Sequence, residues 1–145
     1  LTGVKQMSLR KSTQRYLESE LSNYNYFDKD IARVRDEVLN PWSQQDTNIG
    51  GDRVQSNVSV TEIKAIRVVN DRRLSQLARM KSAIEVVYNH STTETQKLME
   101  LYYFKKPRTL NLTGVAQEIN VSKSTAYDMR KDILVRLADE LGIIH

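Results

Sequence analysis

The stretch NVSKSTAYDMRKDI, residues 120–133, sets Lys123, Ser124, Tyr127, Asp128 and Lys131 one to four residues apart. Residues three and four apart share a face of a helix, so these side chains form one surface of donors, acceptors and an aromatic ring. Ammonium groups donate to guanine N7 and O6, a carboxylate accepts from the cytosine amino group, and a ring meets a thymine methyl or a phosphate. That is the chemistry of reading base edges in the major groove of duplex DNA. Ser122 belongs to the same contact set. Phosphate contacts are expected from Lys105, Lys106 and Arg108, after which no acidic residue occurs until Glu118, from Arg130, and from backbone N–H groups at Thr113 and Gly114. The plainer alternative is a helical hairpin whose charged face is only solvated.

Such a surface needs a rigid support, and LTGVAQEINVSKSTAYDMRKDILVRLADELG supplies the parts. Thr113 caps a short helix with Val115, Ala116 and Ile119 inside. Asn120 can take the left-handed conformation that turns the chain, and Val121 fills the corner. Ser122 caps a second helix with Ala126, Met129, Ile133, Leu134 and Leu137 inward. Small Ala116 and Ala126 permit a close crossing, as in a helix-turn-helix.

Elsewhere apolar residues recur at helical spacing and glycine and proline are scarce, which predicts an all-α fold. Ser12 is a candidate cap for a first helix, and after a turn at Asn23–Asn25 a second helix shows Phe27, Ile31, Val34 and Val38 on one face, ending at Asn40-Pro41. From 41 to 58 there is no periodicity. Trp42, Asp46 and Asn48 in this loop are partner-binding candidates, with a flexible tether as the equal alternative. Val60 to Asn89, with Ile63, Ile66, Leu74, Leu77, Met80, Ile84 and Val87, is one long helix or two joined near Asn70. Asn70 and Arg73 fit either a polar layer in a dimer seam or a break in packing, and packing against the first two helices is the favoured reading. Thr92 or Thr93 caps a helix through Leu98, Leu101 and Tyr102-Tyr103-Phe104, ended by Pro107. The expected division is an N-terminal helical region, 1–90, followed by a helix-turn-helix domain, 91–145.

The chain has 145 residues, net charge +4 and no cysteine, which excludes disulfides, thiolate catalysis and thiolate zinc sites and points to a reducing, cytoplasmic setting. No apolar run has membrane-spanning length. Leu1 in place of Met is consistent with a processed or artificial start. His90 and His145 stand far apart with no carboxylate cluster, so no metal site is expected, and His90 reads as a helix end. With no catalytic constellation and no phosphate-binding loop, neither an enzyme nor a cofactor is expected.

The helix ending LMELYYF followed by residues 112–141 resembles region 4 of bacterial sigma-70 factors, with a longer, more basic loop and Asp128 where those factors often carry an uncharged amide. More of the chain resembles the RinA-like late transcriptional activators of phages of Gram-positive bacteria. The matching pieces are LRKSTQRYLESELSNY, PWSQQDTNIGG, RRLSQLARMKSAIEVVYN, YYF and RLADELG, in that order. The resemblance implies a phage- or prophage-encoded protein that binds promoter DNA in the bacterial cytoplasm and works with host RNA polymerase to switch on packaging and structural genes. It implies DNA contact by Ser122 to Lys131 and leaves the N-terminal half for polymerase contact or self-association, a homodimer included. The rivals are a small terminase subunit that binds a packaging site and a helical protein-interaction adaptor.

Overall fold

Helical spacing in the sequence becomes helix throughout the described residues, 9–40 and 59–143 of a computed structural model, and no strand occurs among them. The order is α1 (Lys11–Ser22), a 3₁₀ turn (Tyr24–Tyr26), α2 (Phe27–Leu39), α3 (Val60–Asn70), α4 (Arg72–Asn89), α5 (Thr93–Leu98), π-helical turns (Met99–Phe104), α6 (Leu112–Glu118) and α7 (Lys123–Leu141). Trp42, Asp46 and Asn48 lie outside the described residues.

The chain forms two compact units, one of residues 1–25 with 80–145 and the other of residues 26–79. The sequence reading began the helix-turn-helix region at residue 91. The unit that holds α6 and α7 includes residues 80–90 and α1 as well, because α1 packs against α7 and against the π-helical turns. Leu17 and Leu21 of α1, Ile84, Leu98, Ile133 and Leu137 have no exposed surface and make this unit's core. Tyr24 closes one edge: its ring lies 4.8 Å from Phe104 and its hydroxyl donates to Glu85 at 2.5 Å.

In the other unit α3 packs on α2, where Phe27 and Val34 are buried at the expected spacing. The α3 stripe does not behave as predicted, since Ile63 and Ile66 are exposed and Lys64 and Val68 are the more covered positions. The long helical pattern is two helices. Asp71 breaks it, with an extended backbone and a carboxylate that accepts from Arg73 N–H at 2.9 Å and Leu74 N–H at 3.2 Å, capping α4. The Arg73 guanidinium bonds Asp71 at 3.3 Å and holds its carboxyl below the usual carboxylate range, and it also reaches Glu37 of α2 at 3.0 Å.

One predicted helix boundary moves and two hold. Ser12 lies inside α1, whose N-cap is Arg10 without a side-chain bond. Of the two expected candidates, Thr92 caps α5 by accepting from Thr95 N–H. The helical run before Pro107 extends through Phe104 as expected, and Lys105 N–H reaches back five residues to the Glu100 carbonyl at 2.9 Å.

Candidate nucleic-acid interface

Asn111, rather than Thr113, caps α6: its side-chain oxygen accepts from Gly114 N–H at 2.8 Å. The N–H expected to face a phosphate is therefore already engaged, and Thr113 lies half-buried in the first turn. A Cβ at Gly114 would stand 3.1 Å from Leu110 and 3.4 Å from the capping oxygen, so glycine here lets both approach.

The turn is built as the sequence suggested. Asn120 has φ 60, its N–H donates to the Gln117 carbonyl at 3.2 Å, and Val121 N–H donates to the Ala116 carbonyl at 3.0 Å. This paired closure satisfies carbonyls that a helix end leaves open. Ser122 then caps α7, accepting from Thr125 N–H at 3.0 Å. Ala116 is buried against α7, while Ala126, Ile133, Leu134 and Leu137 are buried on α7 itself. Met129, predicted inward, is only half-buried because it lies on the margin of that stripe. The same double closure ends α7, where Gly142 has φ 73 and Ile143 N–H donates to Ala138 at 2.8 Å.

With that stripe inside, Ser122, Lys123, Ser124, Asp128 and Lys131 are exposed, and Tyr127 is 45% exposed. The Tyr127 ring has Lys123 Nζ at 6.0 Å and the Arg130 guanidinium at 5.8 Å from its centroid, within cation–π range. Lys105, Lys106 and Arg108 are exposed before α6, and Arg108 stacks 4.4 Å over Tyr102.

Arg130, expected to meet a phosphate, is paired within the chain. Its Nε lies 3.1 Å from Glu18 of α1, and the same carboxylate accepts from the Tyr103 hydroxyl at 2.7 Å. Burial, and then the adjacent Glu18 carboxylate, push the Tyr103 phenol well above its ordinary range. A second tie joins Arg136 to Ser91 at 2.7 Å, and the Ser91 hydroxyl donates to the Val87 carbonyl at 2.6 Å. Sequence reasoning missed Glu18 and Arg136. Their partners lie 85 and 45 residues away for Glu18–Tyr103 and Arg136–Ser91, so no local pattern marks them.

The family described as protein of unknown function (DUF722) matches residues 13–139. Over 138 residues the chain is 38% identical to the Transcriptional activator rinA of Staphylococcus phage phi11, covering 95% of this chain and 96% of that protein. The chain belongs to the RinA-like family. Membership extends from α1 through α7, so the helix that carries Glu18 lies in the shared region together with the α6–turn–α7 segment. No solved structure matches the chain. Among the described residues, no helix is long and apolar enough to cross a membrane.

Proposed function

We propose that this RinA-family chain is a phage-encoded transcriptional activator that binds duplex DNA at a late promoter through α6 and α7 and recruits host RNA polymerase. The observation that carries the reading is the outward set Lys123, Ser124, Tyr127, Asp128 and Lys131 on the first turns of α7, backed by buried Ala126, Ile133 and Leu137. The first turns of a second helix are where helix-turn-helix proteins reach base edges. Lys105, Lys106 and Arg108 supply phosphate contacts beside it. The phi11 relative is a transcriptional activator by name, which supports the regulatory class.

Recruitment needs no catalytic step. Each tenfold rise in polymerase occupancy requires only about 1.4 kcal/mol of added contact, and the unit of α2 and α3, with Val60, Ile66 and Val69 exposed, is assigned to that contact. Footprinting of the purified protein across its phage's late region, with and without host polymerase, tests the reading. A protected promoter and stimulated transcription are expected. Protection of a packaging site with transcription unchanged would instead support a terminase subunit, and protection of neither an adaptor.

A further inference from the structure

The start of α1 has no part in the interface as drawn from α6 and α7, yet its position and charge single it out. No acidic residue precedes Glu18, while Lys5, Arg10, Lys11 and Arg15 are all basic. Arg10, Lys11 and Arg15 are exposed, and no ion pair engages them among the described residues. Glu18 is clamped to Arg130 of α7 at 3.1 Å, which fixes where this face of α1 lies. One turn earlier, Gln14 and Leu9 share a groove with Tyr127, Asp128, Arg130 and Lys131.

Lys11 lies three residues before Gln14 and seven before Glu18, on the same helical face and roughly 4.5 Å further along the axis from Gln14. Arg15 flanks that face, and Arg10 sits at the helix start. The basic end of α1 therefore borders the outward surface of α7 on the side of Tyr127 and Lys131. The groove holds Asp128 beside Arg130 and Lys131, whereas the lip carries basic side chains alone, so an anion is best held at the lip.

We propose that Arg10, Lys11 and Arg15 form a second phosphate-binding lip, gripping the DNA backbone alongside the groove that α7 enters. This rests on the DNA-binding reading above. It makes α1 a DNA-contacting element as well as a core helix, and it gives the Glu18–Arg130 pair a task, that of holding the lip in register with α7.

The test uses the full chain and a short random-sequence DNA duplex, with Kd measured by fluorescence anisotropy across a salt series. Each lost phosphate contact lowers the slope of log Kd against log salt by about 0.9. The triple variant Arg10→Gln, Lys11→Gln, Arg15→Gln is expected to flatten the slope by about 2–3. A matched variant in the other unit, Lys29→Gln, Arg35→Gln, Arg67→Gln, is expected to leave it unchanged. Equal flattening in both would make the effect one of net charge and overturn the proposal, as would an α1 variant with the wild-type slope. Because the chain has no cysteine, Lys11→Cys can also carry a single photo-crosslinker. It is expected to crosslink to the duplex where Arg35→Cys does not, and the reverse pattern would refute the lip. A wild-type chain that binds no duplex at all would remove the DNA-binding reading itself, whereas a binding chain indifferent to the α1 changes would remove only this inference.

Discussion

At the scale of single residues, the proposed function divides the exposed side chains of α7 and the loop before α6 into groups that would read bases and groups that would hold the backbone. Lys123→Ala and Tyr127→Ala are each expected to reduce discrimination between target and random DNA by roughly 1–3 kcal/mol, whereas Lys105→Ala flattens the salt dependence with little change in preference. Competition binding at two salt concentrations separates these outcomes, and equal losses on both DNAs for all three variants would reject the division. Tyr103 makes a different kind of prediction. Its folded pKa lies above the unfolded value, chiefly through burial, so the folded state keeps its proton after the unfolded chain has lost it. Stability is therefore untouched below about pH 10 and declines above it. Tyr103→Phe should cost about 1–2 kcal/mol at neutral pH, through the lost bond to Glu18, and should make the alkaline decline shallower in urea titrations at increasing pH.

At the scale of elements, the α6–α7 turn depends on one left-handed residue and one cap. Asn120 is the non-glycine residue with positive φ among the described residues. Asn120→Gly should be tolerated, because glycine adopts that conformation without a Cβ penalty, while Asn120→Val should cost about 1–2 kcal/mol. Ser122→Ala removes the acceptor for Thr125 N–H and should cost about 1 kcal/mol. Thermal denaturation measures all three, and a valine variant as stable as the glycine one would show that the turn has another conformation open to it. The α3–α4 joint works by the same logic with Asp71 in place of a turn residue, and its ion pair with Arg73 weakens as pH falls and the carboxylate is protonated.

On the scale of the whole molecule, the unit that presents α7 is discontinuous in sequence. A fragment of residues 91–143 lacks Leu17, Leu21, Ile84 and Val87, which are all buried. It is expected to lose cooperative unfolding that the full chain retains, and calorimetry of the two decides the matter. Within the full chain, Leu17→Ala should cost about 2–5 kcal/mol, the range for emptying a packed leucine site. A fragment that unfolds as sharply as the full chain would mean that α1 only rests on the surface of the unit.

Much of this was legible in the sequence because it is set by local sterics and periodicity. The helical class, the Asn120 turn, the Ser122 cap and the inward set Ala126, Ile133, Leu134 and Leu137 all follow from residues within a few positions of one another. Even the errors of local reading were small: Asn111 took the cap assigned to Thr113 because two good capping residues stood two positions apart. What only the tertiary structure decided was the company α7 keeps. Charge pattern marks Arg130 as a cation but not its partner within the chain, a carboxylate more than a hundred residues upstream, which it pairs with because burial beside α1 makes an unpaired guanidinium costly. Helix periodicity specifies which face of α1 is apolar but carries no information about which helix it covers. Long-range packing settled that question, and with it the position of the basic end of α1 beside the outward face of α7.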